Sequence, residues 1–84
     1  MSVLKVLAVR DRAVDSFGQP MFAQAVGQAV RSFADEVNRD TSPLANHPED
    51  YDLYLIGDYD EAAGRLIPSD PRQVAIGKDL KRQE

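Results

Sequence analysis

The stretch His47-Pro48-Glu49-Asp50-Tyr51-Asp52-Leu53-Tyr54-Leu55-Ile56-Gly57-Asp58-Tyr59-Asp60-Glu61-Ala62-Ala63-Gly64 constrains this chain more than any other. A proline restricts the approach, aromatic and branched residues fill the middle, and a polar run closes on Gly64. That order predicts a central strand from Tyr51 to Asp58 or Tyr59, followed by a hairpin turn in which Gly64 takes a positive φ. Successive strand side chains alternate, so Tyr51, Leu53, Leu55 and Tyr59 are expected on one side, with Tyr54 and Ile56 on the other. Arg65-Leu66-Ile67 is expected to return as a short strand.

Three further segments complete a small sheet with a helix on it. Val3 to Val9 places Val3, Leu7 and Val9 on one face with Lys5, and Leu4, Val6 and Ala8 on a second apolar face, which predicts a strand covered on both sides. Arg10 to Gln19 has loop composition, and Pro20-Met21-Phe22-Ala23 is expected as an edge strand led by its proline. From Gln24 to Asn38 the apolar residues Val26, Ala29, Val30, Phe33 and Val37 repeat at helical spacing, with Gln28, Arg31, Ser32, Asp35 and Glu36 opposite. No capping residue sits near Ala23, and Gly27 lowers the helix propensity, so packing must hold this helix.

Asn38 to Pro43 ends the helix, and Ser42 to Pro48 is a connector with room for one turn around Leu44 and Ala45. Beyond Pro68, Ser69-Asp70-Pro71 reads as loop, Val74 and Ile76 offer one alternation, and Lys78 to Glu84 reads as a charged, frayed tail. The expectation is an α+β fold: a small antiparallel sheet of about four strands with one amphipathic helix packed on one face. Residues 1–77 form one domain in this reading and 78–84 the tail.

At 84 residues a single core is all the chain can build. A domain this size buries only about 60 to 65% of its unfolded surface, so a second copy or a partner would add needed burial. The absence of cysteine removes disulfides and thiolate chemistry and fits a reducing compartment. Ser2 to Val9 is too short an apolar run for a signal peptide and nothing approaches a membrane span, so a cytosolic protein without membrane contact is expected. The net charge of −4 opposes non-specific attraction to nucleic acid.

The residues offer no strong catalytic or cofactor signature. Glu49, Asp50, Asp52, Asp58, Asp60 and Glu61 cluster in sequence, but the alternate-acid spacing of a calcium loop is interrupted by Ala62 and Ala63, so solvated strand ends and a turn are expected. His47, Ser42 and Asp50 supply triad residue types inside one short loop with no nucleophile elbow, so no hydrolase and no enzyme is expected. His47-Pro48-Glu49-Asp50 is instead expected to set how the chain reaches the central strand, with Glu49 or Asp50 accepting backbone N–H bonds. The five glycines are too scattered for a nucleotide loop, and no cofactor is indicated.

Nucleic-acid binding is the serious competitor among functions. Arg10 and Arg12, Arg65 and Arg72, and Lys78, Lys81 and Arg82 could combine with Tyr51, Tyr54, Tyr59, Phe17 and Phe22 to supply charge and stacking. The basic and aromatic residues are not interleaved, however, and acids flank the central strand. Core or hairpin pairs are the plainer role for the aromatics.

Pro20-Met21-Phe22-Ala23, Ala29-Val30-Arg31-Ser32-Phe33, Val37-Asn38, Ser42-Pro43-Leu44, His47-Pro48-Glu49-Asp50-Tyr51-Asp52-Leu53-Tyr54, Ile56-Gly57-Asp58-Tyr59-Asp60 and Gly64 together make a pattern. It resembles the small non-structural protein of gokushoviruses, single-stranded DNA phages of the microvirus family, from about Leu4 to Ile67. Gln24-Ala25 departs from that pattern at the helix start, and the tail matches weakly. The resemblance implies a protein made in the infected bacterial cytoplasm and absent from the mature virion, with a role around genome replication or packaging, and it supplies no catalytic residues. The resulting expectation is a non-enzymatic accessory protein working by protein contacts, as a homodimer through an exposed strand or the helix edge, with a phage or host replication or packaging protein as partner. The alternative is a single-stranded DNA-binding protein contacting its ligand through Arg10, Arg12, Lys78, Lys81 and Arg82. His47, Pro48, Glu49, Asp50, Tyr51, Gly57 and Gly64 are the structural motif in either case.

Overall fold

The computed structural model describes residues 3–82. The first strand, β1 (Val3–Asp11), pairs antiparallel on one side with two short pieces, β2 (Ser16–Phe17) and β3 (Met21–Ala23), and on the other with β4 (Tyr51–Asp60). Strand β5 (Arg65–Ile76) closes the far edge against β4, so the sheet runs β2/β3, β1, β4, β5. The fold is α+β, with helix α1 (Val26–Val37) laid on one sheet face.

The sheet is made by the alternations in its strands. Leu7 sits between Met21 and Leu55, and Val9 beside Leu53, which places these residues on the face that receives α1. Ala29, Phe33 and Val37, spaced four apart on the helix, are buried against Leu7, Ala23 and Leu53. Burying a side chain such as Phe33 contributes roughly 2–3 kcal/mol, which offsets the weak start of the helix. That start has no side-chain cap: Ala25 is the capping residue, and the Gln28 side chain only reaches back to accept the Gln24 N–H at 2.9 Å.

Turn chemistry follows the sequence. Gly64 has φ +65°, its N–H donates to the Asp60 carbonyl at 2.8 Å, and the Asp60 carboxylate accepts the N–H groups of Ala62 and Ala63. In the connector, Ser42 is fully buried and its hydroxyl oxygen accepts the Leu44 N–H at 3.1 Å, capping the short helix α2 (Pro43–Asn46). A single 3-10 turn over Pro48–Asp50 then delivers the chain to β4.

Four expectations need correction. Tyr59 does not share a face with Tyr51, Leu53 and Leu55. Val6 pairs with Gly57 and Leu7 with Leu55, so Ile56 is an extra residue and every position after it changes sides. The returning strand is not confined to Arg65-Leu66-Ile67 but continues to Ile76. Ser69, Asp70 and Pro71 bulge out between the Gly57–Pro68 and Leu55–Arg72 pairs, which lets an edge strand carry two prolines that cannot donate to a ladder.

Residues 78–82 are not a loose tail. Gly77–Leu80 form a helical turn, α3, and Leu80 packs against the core. The Asn38 amide donates to the Leu80 carbonyl at 3.0 Å and accepts the Arg82 N–H at 2.8 Å. The last two positions of the expected tail, 83–84, lie outside the described residues. Finally, Asp52 is not a solvated strand residue: it is 2% exposed.

Candidate functional site

Two of the candidate DNA-contacting residues, Arg10 and Arg12, are held by the protein itself. Arg10 hydrogen-bonds the Asp15 carboxylate across the β1–β2 turn, and that bond, followed by one to Tyr54, pushes the guanidinium pKa up. Arg12 is a clamp: its N–H donates to the Asp50 carbonyl at 2.8 Å, its Nε lies 3.2 Å from Asp52, and a terminal nitrogen donates to the Glu49 carbonyl. It is therefore the carbonyls of Glu49 and Asp50 that are engaged, as acceptors from Arg12, while the Asp50 N–H goes to the His47 carbonyl.

Lys81 and Arg82 lie in the helix layer, Lys81 with its Nζ 3.5 Å from the Val37 carbonyl and Arg82 against Asn38. Arg10 pairs across the sheet with Phe17 and Asp52, on the face turned away from α1. Lys78 sits on α3. The five basic positions are thus divided between opposite layers instead of lining one groove.

The motif residues come together as structure. His47, Glu49 and Asp50 bring their ligand-type atoms within 4.8 Å of one another, yet His47 and Glu49 are exposed and the Arg12 cation lies alongside. Tyr51 is half-buried beside Asp11, and burial, then the charges of Asp11 and Asp50, push its hydroxyl pKa up. Gly57 faces β5 so closely that a Cβ would stand 2.6 Å from the Ile67 carbonyl oxygen. Gly77, which no sequence motif singles out, is tighter: a Cβ would stand 2.4 Å from the Tyr51 oxygen and 2.5 Å from that of Pro48.

The most conspicuous surface lies on the sheet face opposite α1. Phe17 packs edge-on against Tyr54 and Phe22 against Tyr59, each with centroids 5.4 Å apart. Both pairs reach over β1, which explains why Val6 and Ala8 are buried with no helix above them. Beside them opens an apolar groove of about 430 Å3 between Pro20 and Phe22 on one side and Leu66 and Ile67 on the other, with Val6 and Ile56 also lining it. Phe22 is 51% and Leu66 63% exposed. The carboxylate that lines the groove, Asp58, is paired with Lys5 at 3.3 Å.

These features define a class: a small two-layer α+β protein whose main apolar surface is the uncovered side of its sheet. A family model described as Phage ORF5 protein matches residues 4–80, and the chain belongs to that family. The match takes in β5 and α3 as well as the helix and the central strand. No curated protein and no solved structure matches the chain.

Proposed function

We propose that this phage protein is a non-enzymatic accessory factor that acts through protein–protein contacts during replication or packaging of a single-stranded DNA genome. The setting, a gokushovirus-like microvirus infection with the protein in the host cytoplasm and outside the mature virion, is supported by the resemblance carried by His47 to Tyr54 and Ile56 to Asp60. The contact mode is supported by one observation: the groove around Phe22 and Leu66 is open while Arg10 and Arg12 are already paired with Asp15 and Asp52. An apolar, charge-paired surface favours protein over phosphate.

The test is co-purification of the tagged protein from infected cells, with identification of what accompanies it. Recovery of a phage or host replication or packaging protein is the expected result; recovery of nothing from infected cells would reject the reading. Single-stranded DNA is the second reading, favoured by the ring faces of Phe17 and Phe22, which are partly exposed on an open sheet. It requires salt-sensitive binding to an oligonucleotide that weakens when Arg10 and Arg12 become alanine, and no binding at low salt would end it.

A further inference from the structure

We infer that the sheet face opposite α1 is covered by a second copy of this chain, the two sheets stacking through the Phe22–Leu66 groove with a helix outermost on each side. This deepens the protein-contact reading above and rests on it, by naming a partner and a surface.

The first argument is surface area. A compact monomer of 9.3 kDa should expose about 5,000 Å2 and have a radius of gyration near 12 Å. This chain exposes 5630 Å2 and has a radius of 13.2 Å, because the sheet extends past the helix into a body 45 × 24 × 19 Å. The excess, about 600 Å2, matches one partner's share of a small but stable interface.

Charge supplies the second argument. Three ion pairs lie on or beside this face, Lys5 with Asp58, Arg10 with Asp15 and Arg12 with Asp52. A neutral apolar face is best matched by another neutral apolar face, and a twofold contact presents the same surface from both sides. The edges are poorer candidates. Strand β5 carries Pro68 and Pro71 and bulges between them, and Pro20 precedes β3, devices that discourage strand addition.

Salt distinguishes the occupants. Two copies each carrying −4 repel, so added salt strengthens a dimer held by apolar contact, whereas it weakens any complex with DNA. Sedimentation of the full chain across a concentration series should show twice 9.3 kDa, with tighter association at higher salt. Leu66→Asp and Phe22→Asp, both at exposed positions, should raise the dimer Kd by about 100-fold or more with an unchanged circular dichroism spectrum. Val14→Asp, at an exposed turn position away from the groove, should leave it unchanged.

A second measurement does not depend on those variants. In this cysteine-free chain, Leu66→Cys should cross-link to its twin with a short bifunctional maleimide, and Asp79→Cys, on α3, should not. A wild-type monomer at roughly 0.1 mM would overturn the inference. So would a dimer indifferent to both aspartates, or an oligonucleotide that shields the Leu66→Cys thiol from cross-linking. A monomer that still carries a replication or packaging protein out of infected cells would overturn the dimer while leaving the proposed function intact.

Discussion

The Arg12 guanidinium lies 3.2 Å from the carboxylate of Asp52, which is 2% exposed and whose second oxygen has no hydrogen-bond partner among the described residues. Arg12 also binds the Glu49 and Asp50 carbonyls, so one residue ties the β1–β2 turn to the start of β4. Arg12→Ala strips the paired cation from a buried carboxylate. It should cost about 2 kcal/mol, less than the roughly 3–5 of a fully enclosed pair because the guanidinium is half in water. Urea denaturation checks this, and the double variant Arg12→Met with Asp52→Leu should recover most of the loss. If Arg12 were instead a phosphate contact, its removal would leave the midpoint unmoved.

Along β4, sequence alternation assigned the faces as far as Leu55 and failed one residue later. Nothing in Leu55-Ile56-Gly57 announces a bulge, since the extra residue is set by how β4 registers on β1 and not by its own propensity. The bulge moves Tyr59 to the outer face, where it meets Phe22 beside the groove. The length of β5 was hidden for another reason: Pro68 and Pro71 are strand breakers on local grounds and tolerable only on an edge. One signal was available. The sequence offers two apolar faces on β1 and a single long amphipathic helix, so one sheet face had to lack a helix.

Close backbone approaches predict the glycine series. At Gly77 a methyl group would press on the Tyr51 and Pro48 carbonyl oxygens, and at Gly57 on that of Ile67. Gly77→Ala and Gly57→Ala should therefore each destabilise by about 1–3 kcal/mol, with Gly77 the more sensitive because two carbonyl groups block it. Gly27 has nothing within 4 Å and lies in the first turn of α1, so Gly27→Ala should stabilise by up to about 1 kcal/mol. Thermal melts of the three variants give the ranking; a neutral Gly77→Ala would mean that α3 does not dock on the 3-10 turn.

Asn38 closes the C-terminus of α1 and holds the chain end. Its amide donates to Ala34 at 2.8 Å and Leu80 at 3.0 Å while its oxygen accepts the Arg82 N–H at 2.8 Å. Asn38→Ala should cost about 1–2 kcal/mol and open the segment after Ile76 to proteolysis. Asn38→Asp should cost more at neutral pH, because a carboxylate would face two carbonyl oxygens with no proton to give. Limited proteolysis and hydrogen exchange of the Leu80 region read both effects, and equal protection in wild type and variants would show that Asn38 does not secure it.

Tyr51 gives the protein an alkaline limit. Burial raises its hydroxyl pKa above the ordinary 10.0, the charges of Asp11 and Asp50 add to the shift, and a hydrogen bond to Asp11 favours the protonated form. The unfolded chain ionises this hydroxyl at a lower pH than the folded one does. The resulting stabilisation is therefore fully present below pH 10 and is lost as the pH rises through the higher folded-state value. Stability measured by denaturant should fall with rising pH in that range, and Tyr51→Phe, which has no proton to lose, should flatten the slope. The phenylalanine variant should also be less stable than wild type at neutral pH if the Asp11 hydrogen bond holds the β1 end, and the two curves should converge as the pH rises. An unchanged alkaline slope in Tyr51→Phe would place the sensitivity elsewhere.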